Sequence, residues 1–543
     1  MKTIEIIGRK NAWYSCLIRI LYSSGIICMR KSLYISIDIL FMVALLDIKN
    51  NLKNKNISLT ALTALSMAII APIAMAIGNS SGAATYAGFA MPLIPIIGII
   101  FILFASAPVL EYTKYISFAG GYYGLAELGF GRVVSKWVGV GNLVTELIGS
   151  GVLQSTFVPF VIITSVFSAF GILLPIWLYF ILVIAIIGWG YFTTVRNIRL
   201  TTSFIISVVF AEIIITLGAS LYTLFVLPRY DLTLAPFLIS SSPTGIRGIM
   251  LGVILTGFLF FSGYGTGLSY SEEAKLPKKT IWRSIILAIL ISGIVGVIAM
   301  YTEAVAIGKT SISTLVSSLD PAVIAFEPHI GPIFMGIFIA IFVVGIMAVT
   351  TGLFGAAARL TYSLSRDNFF SGKIGKYCSE LDPKHNNPVH AANVILPINI
   401  FSTLFAALLM IHIYGYLSGI FNVYFLAGSM FVAFWYVHHI IPDIAMMRAL
   451  PRKFGQKLTK PWNFFVSIIC PIAGAIILIY SFVEGYSALT EPYFGGLIFV
   501  LVSLAAIAVY VVIKYFKNTI GESFIDEKLE NELKTYAKVE KDE

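Results

Sequence analysis

Polar and charged positions in this 543-residue chain fall in short intervals between long apolar runs. A membrane-spanning helix needs about 20 mostly apolar residues. Twelve runs meet that need, at residues 60–86, 91–110, 137–168, 175–191, 203–228, 248–270, 285–304, 332–358, 392–411, 420–442, 462–481 and 493–513. The pattern predicts an all-α polytopic membrane protein with twelve transmembrane helices.

Composition narrows the class. The chain is 58% hydrophobic and only 12% charged, whereas soluble domains carry about 25% charged residues. A water-soluble enzyme, a secreted scaffold and a nucleic-acid reader are excluded. The lipid bilayer is the implied partner and nucleic acid is not. Cys16, Cys28, Cys378 and Cys470 are too scattered for a disulfide framework or a metal site, and no cofactor is called for.

The net charge of +10 is read as orienting charge. Loops after even-numbered spans hold 19 Lys and Arg and loops after odd-numbered spans hold 3, with 9 in the N-terminal segment and 6 in the C-terminal one. That bias predicts both termini and the even-side loops in the cytoplasm, in a multi-pass protein of the cytoplasmic membrane. Residues 1–59 form the N-terminal cytoplasmic segment and 514–543 the cytoplasmic tail. Residues 1–41 fit this scheme badly, because Lys2, Arg9, Lys10, Arg19, Arg30 and Lys31 alternate with short apolar runs. Either translation starts at Met42, or the extension is a loosely held surface segment.

Glu146 in the third span and Glu212 in the fifth are the two acids placed deep in the membrane, with Glu303 near the outer end of the seventh. No Lys or Arg lies inside a span to pair with them. Each is therefore expected to be neutral, hydrogen-bonded or facing a wet cavity, which makes it either a structural tether or a proton carrier. Local sequence offers Glu146 polar company in Asn142, Thr145 and Ser150; Glu212 sits among Val208–Ile215 with none. His438 and His439, near the cytoplasmic end of the tenth span, could also shuttle protons, but their position favours an interfacial reading.

Two spans are interrupted. The first contains Ala71-Pro72-Ile73-Ala74-Met75, and the sixth contains Phe261-Ser262-Gly263-Tyr264-Gly265-Thr266-Gly267. Proline removes a backbone hydrogen bond and clustered glycines weaken a helix. Unpaired backbone is tolerated at that depth only where it lines a cavity or is buried in protein. The breaks are five spans apart, as an inverted repeat of spans 1–5 (residues 60–228) and 6–10 (248–442) requires, followed by two further spans (462–513). Paired interruptions point to a transporter's binding site. Free amides there suit an anion and free carbonyls a cation, so a zwitterion would satisfy both. The bland alternative is that the breaks mark kinks and close packing.

Three further strings resemble the amino acid–polyamine–organocation (APC) superfamily and its prokaryotic amino acid permeases. They are Ser117-Phe118-Ala119-Gly120-Gly121-Tyr122-Tyr123, Glu272-Glu273-Ala274-Lys275-Leu276-Pro277-Lys278-Lys279-Thr280-Ile281, and Arg359 with Ser365-Arg366-Asp367-Asn368 and Asn387-Pro388-Val389. The resemblance covers about residues 60–515. It implies a LeuT-like fold of two inverted five-helix repeats plus two C-terminal helices, alternating access, and an amino acid bound between spans one and six.

The resemblance further implies that amides near Pro72, Ile73, Ala74 and Met75 hold the carboxylate. Carbonyls of Phe261, Ser262 and Gly263 would hold the ammonium, and Tyr264 would gate the site. Glu212 matches a position that carries a lysine in some relatives. The first break lacks the family's paired glycines, so Pro72 must unwind it, which leaves the register open by a residue or two. Gly265 and Trp282 also depart from the usual residues. Thr350 and Thr351 stand where sodium-coupled members supply hydroxyl ligands; no other metal site is expected.

The resulting expectation is a secondary active transporter for amino acids, with the proton as coupling ion through Glu212 or Glu146, and not an enzyme. An amino acid exchanger and a non-transporting amino acid sensor of the same fold remain as alternatives. Polyamine transport is disfavoured because neither break carries an acid.

Overall fold

The computed structural model describes residues 57–525, except 117–119, 197, 317, 319, 383–386, 488–489 and 524. The start-site question at residues 1–41 and the tail beyond 525 lie outside the described residues, as does the Ser117-Phe118-Ala119 string. Among the described residues the chain is helical and forms no β-strand.

Among the described residues, eleven helices are long and apolar enough to cross a membrane. In order they are Leu59–Ala90, Leu93–Tyr112, Arg132–Phe167, Ile176–Thr194, Thr201–Val226, Pro277–Ile307, Pro321–Arg366, Val389–Tyr414, Tyr416–Lys453, Pro461–Ser487 and Tyr493–Phe516. They correspond to expected spans 1–5 and 7–12. The sixth is present as a train of short pieces, Ile246–Gly252, Val253–Gly257, Phe258–Phe261 and Ser262–Glu273. Ile246–Gly252 packs on Ser80–Ala87 at one end of the first span, and Ser262–Glu273 packs on Leu59–Ile70 at the other. This stretch therefore runs antiparallel along the whole first span. The protein is an all-α polytopic membrane protein.

Burial separates centre from periphery. The most apolar window of the first span is 94% buried in protein and that of the third 83%, against 22% for the twelfth and 28% for the ninth. The outer helices expose Phe401, Phe405, Val502 and Phe516. Side chains of that kind face outward only where the surroundings are as apolar as they are. The first span touches the fifth, seventh and eighth spans and the sixth stretch, so its break lies on the axis of the bundle.

The two faces of the bundle differ in chemistry. One, here the basic face, carries Lys114, Arg132, Arg366 and Arg448 at helix ends. There the chain enters the first span through a Ser58 cap, whose hydroxyl accepts from the Ala61 amide at 3.2 Å. Just before it, the Ile57 amide donates to the Glu273 carbonyl and the Lys275 amide to the Ile57 carbonyl, each at 2.8 Å. This pair of bonds ties the start of span one to the end of the sixth stretch.

On the opposite face, Gly331 (φ +79°) bends the element Pro321–Arg366 near its start. Asp320, just before that element, is buried and accepts a hydrogen bond from the Ser165 hydroxyl at 2.9 Å. Its other oxygen is buried without a partner among the described residues. Burial pushes the Asp320 carboxyl up to about 6, against the opposing pull of the Ser165 and Thr164 hydroxyls. The native packing thus holds the proton more tightly than the unfolded chain does. Its contribution is full below about pH 4 and is lost as pH rises through about 6. We expect amide exchange at Ala322–Phe326, corrected for intrinsic rate, to open about tenfold or more faster at pH 7.5 than at pH 4.5. Asp320→Asn should remove that difference.

Candidate functional site

In the first span the helix Leu59–Ile70 ends at Ala71, which takes a left-handed conformation (φ +50°, ψ +76°). A residue with a Cβ rarely sits there, and such strain persists where the surroundings impose it, commonly at functional sites. Pro72 imposes it: a following proline disfavours the α conformation, and its missing amide leaves the Ala68 carbonyl without the usual partner. The chain resumes as Pro72–Ala74, a π-helical turn Met75–Asn79 and the helix Ser80–Ala87.

The sixth stretch crosses the first at the break itself. A Cβ on Gly263 would lie 2.6 Å from the Ile69 carbonyl carbon, and one on Gly267 would lie 2.9 Å from the Ser66 hydroxyl. A Cβ on Gly265 would collide with the Tyr122 hydroxyl. Gly263 lets two backbones touch, and Gly265 and Gly267 make room for the Tyr122 and Ser66 side chains. The Ser262 carbonyl, expected to be free, accepts from the Trp435 indole N–H at 2.8 Å.

Of the residues expected at the site, Ala74 and Ser262 line one central cavity together with Ala71, Asn79, Gln154 and Tyr424. The cavity measures about 40 Å³, room for roughly one water. No charged side chain lines it. Pro72, Ile73, Met75, Phe261, Gly263 and Tyr264 are not on its wall. Met75 packs against Gly296, Phe261 against Gly98 and Gly293, and Gly263 against Ile69. Tyr264 lies beside Trp435 and His439 on the basic side of the break.

A larger chamber of about 420 Å³ lies toward the opposite face, lined by Asn79, Tyr86, Thr256, Tyr424, Tyr436 and Tyr486 among others. A third of about 160 Å³ adjoins Gly78, Phe157 and Tyr424. Phe157 and Tyr424 stack at 4.2 Å with an interplanar angle of 10°, and the Phe157 ring rests on Gly78, where a Cβ would lie 2.7 Å away. Both rings wall the central cavity and the third chamber, so the stack is a shutter between them.

On the basic face, a chamber of about 350 Å³ is lined by Glu127, Gly131, Arg448 and Lys453 and by no residue of either break. Arg359 donates to Glu273 at 2.7 Å and to the Gly355 carbonyl at 3.1 Å, with its guanidinium 3.9 Å from the centre of the Tyr270 ring. Lys136, fully buried, pairs with Asp367 at 2.5 Å, and the Tyr123 hydroxyl donates to the same oxygen. Arg366 bonds both oxygens of Glu272 at 3.2 Å. The last pair is half-exposed and contributes under about 1 kcal/mol. Losing one partner of a buried pair costs about 3–5 kcal/mol, so Arg359 and Lys136 dominate this seal.

Glu212 is buried against Gly345 of the eighth span, and neither carboxyl oxygen has a partner among the described residues. The hydroxyls of Thr216, Ser220 and Thr223, all fully buried, also lack partners. Four, eight and eleven residues on, they share its helix face, so Glu212 does have polar company. At Glu146 the local help goes elsewhere. Ser150 donates to the Glu146 backbone carbonyl and Thr145 to the Gly141 carbonyl, leaving Glu146 Oε2 unpartnered.

Two readings of the sequence need correction. Glu303 is fully buried in the seventh span, and Asp443 is fully buried in the tenth, so the deep acids number four. The tenth helix continues through Pro442 to Lys453, because prolines are tolerated in spanning helices whose neighbours cover the freed backbone. His438 and His439 are likewise buried, 3% and 1% exposed, and not interfacial. Thr350 and Thr351 donate to the Ile346 and Met347 carbonyls, and Thr351 also accepts from Thr193 of the fourth span.

Gln154 carries no charge, so hydropathy and a census of acids do not single it out. It is an amide inside an apolar run, and its Oε1 is buried without a partner beside the break.

A family model for amino acid permeases matches residues 57–483. The chain belongs to that family, within the APC superfamily, and is an amino acid transporter rather than an enzyme. No curated protein matches it.

The crossing of the breaks yields a stability prediction. Gly263→Ala should lower unfolding stability in detergent by about 1–3 kcal/mol, since the obstructing neighbour is backbone. Gly218→Ala in the fifth span, with open space around it, should be neutral or mildly stabilising.

Proposed function

We propose that this chain is a secondary active transporter that carries neutral amino acids across the cytoplasmic membrane by alternating access, coupled to protons. The observation that carries the reading is one-sided access to the breaks. Chambers approach them from the opposite face down to the Phe157–Tyr424 stack, while ion pairs and the Ile57 strap close the basic face. The basic face is taken as cytoplasmic because Lys and Arg concentrate there. The arrangement is then the outward-accessible half of a cycle whose other half opens the Arg359 and Lys136 pairs.

The two halves are residues 60–228 and 248–442, each opening with its own broken span. Ala71, Ala74 and Ser262 are the nearest parts of the proposed substrate site, extended by Asn79 and Gln154. Pro72, Ile73 and Met75 act through the conformation of the break, with Phe261 and Gly263 packing its partner. Tyr264 stands on the cytoplasmic side as a gate. To bind an ammonium, the Ser262 carbonyl would exchange the Trp435 N–H for the substrate's. The uncharged wall favours a neutral side chain, because an unpaired charge there would be costly.

Glu212 is the proposed proton carrier. Its row of unpartnered hydroxyls, Thr216, Ser220 and Thr223, leads toward the opposite face, from which the proton would enter. Glu146 is the second candidate. The fourth-span contacts of Thr350 and Thr351 support packing and give no support to a sodium site.

Uptake of a labelled amino acid mixture into proteoliposomes, in sodium-free buffer, tests this. An inward proton gradient should stimulate uptake. Uptake indifferent to the gradient but raised by internal amino acid would mean an exchanger, and none above empty liposomes, from folded protein, a sensor. Glu212→Gln should keep counterflow and lose the gradient response; a retained response would move the role to Glu146. Arg359→Ala should raise labelling of a cysteine placed at Ser66 from the basic face, by several-fold.

A further inference from the structure

Below the sixth-span break, on its basic side, lies a buried group of side chains that the scheme above leaves unused. Trp435, His439 and Asp443 follow one another at four-residue intervals on the tenth span and so share one face. They are 1%, 1% and 0% exposed. The Tyr122 ring, at the start of the helix Tyr122–Phe130, lies tilted against His439 at 4.3 Å and against His438 at 5.2 Å. Tyr264, within the sixth stretch itself, stands edge-on to His439 at 5.6 Å. Both tyrosines lie within Coulombic reach of Asp443.

The hydrogen-bond inventory of this group is unbalanced. Both oxygens of Asp443 and the Nε2 of His439 are buried without partners among the described residues, and the buried Tyr122 and Tyr264 hydroxyls face each other at hydrogen-bonding range. The other ring nitrogen of His439 is engaged with the Trp435 carbonyl at 2.9 Å. A carbonyl only accepts, so Nδ1 carries the hydrogen, and Nε2 of the neutral ring is a bare acceptor. Buried polar atoms are almost always satisfied. These can be satisfied only by one another, or through water held between them.

Other titratable groups facing the cluster are Glu146, near Tyr122 from the third span, and His438 beside His439 on the tenth. His438 is in turn held by the Thr145 hydroxyl at 3.3 Å. Among the described residues, no Lys or Arg figures among the electrostatic neighbours of Tyr122, Tyr264, His439 or Asp443. Within them, a protonated histidine is the counter-ion at hand for a carboxylate here.

We propose that Asp443, Tyr122, Tyr264 and His439 form a proton-holding centre that hands the coupling proton from the sixth-span break to the basic face. The inference rests on the transport reading above and adds a release site to it. The step balances as a relay. The His439 imidazolium gives its Nε2 proton to a tyrosine hydroxyl, which passes its own to the Asp443 carboxylate, and the tyrosine stays neutral. His439 becomes a neutral imidazole and Asp443 a carboxylic acid, so net charge is unchanged until Asp443, one turn nearer the basic end of the tenth span, releases the proton. The centre is joined mechanically to the substrate site, because Trp435 accepts from His439 through its carbonyl and holds the Ser262 carbonyl through its indole. A change of charge on His439 therefore acts on the carbonyl proposed to meet the substrate's ammonium.

The test pairs two measurements on full-length protein. Infrared difference spectra of lipid-nanodisc samples over a pH titration should show the carbonyl stretch of a protonated buried acid. That band should be lost in Asp443→Asn and shifted in Tyr122→Phe and Tyr264→Phe. In proteoliposomes, Asp443→Asn and His439→Gln should lose at least tenfold of proton-gradient-driven uptake of a labelled neutral amino acid mixture, with counterflow within about twofold of the parent.

A band unchanged in Asp443→Asn would overturn the proposal, since the acid would then carry no proton. So would a lost band with gradient-driven uptake intact, which would make the cluster structural. If Asp443→Asn fails to fold, Tyr122→Phe and His439→Gln carry the same two readouts. Absence of counterflow in the parent would sink the transport reading, and with it the release role. The infrared titration would then still report whether Asp443 holds a proton, which separates the two failures.

Discussion

The backbone contact between the first and sixth spans is the constraint on which the rest depends. At Ile69 and Gly263 two chains touch in a place where helices would normally be held apart by side chains. A contact that close needs glycine on one side, and it lies where both helices have lost regular hydrogen bonding. In a membrane those lost bonds must be replaced from within the protein. The replacements come from neighbours: an indole N–H for the Ser262 carbonyl, and a π-helical turn that re-enters the helix after Pro72. The third span contributes a π-helical turn of its own at Gly149–Leu153, and Leu153 and Gln154 face the same cavity. The central cavity is thus the space left when three irregular segments meet.

The seal on the basic face explains why widely separated strings of sequence share one chemistry. Glu272 and Glu273 end the sixth stretch, Arg359, Arg366 and Asp367 end the eighth, and Tyr123 and Lys136 flank the start of the third. Each acid of one string meets a base of another. Tyr270 adds a ring beneath Arg359, a contact that contributes about 1–2 kcal/mol when desolvated. A lattice in which every charge is paired across different helices is stable only in one relative placement of those helices. It is therefore suited to define a state and to be lost as a unit when that state is left.

Much of the fold was legible in the sequence. Helix length against bilayer thickness located every span, and Pro72 and the glycines at 263, 265 and 267 marked both breaks. What was not legible has physical causes. Asp443 falls one residue beyond the expected end of the tenth span at 442, although the helix continues through Pro442 to Lys453. Thr216, Ser220 and Thr223 stand one to three turns from Glu212 along its helix, so they neighbour it in space and not in the immediate sequence. Phe157 and Tyr424 are two among 40 phenylalanines and 27 tyrosines, and nothing local distinguishes a shutter from packing. The register at the breaks shifted for a simpler reason. Proline unwinds at the residue before it, so the cavity meets Ala71 and Ala74 and leaves Ile73 and Met75 packed.

Among the buried polar atoms without partners in the described residues, three groups bear on the proposed proton route. The fifth-span hydroxyls run from Glu212 toward the opposite face. Gln154 stands at the break, and the Tyr122, Tyr264, His439 and Asp443 group lies on the basic side. In contrast, Thr350, Thr351, Ser155 and Thr156 bond back to their own helices, as hydroxyls in spanning helices ordinarily do. Apolar helices could have filled the same volume with less electrostatic cost, because a neutral apolar core needs no partners. Buried polar atoms without partners sit on both sides of one break in a membrane body whose deep acids have no cation. That pattern is what a chain must keep if protons are to cross it while its ions cannot.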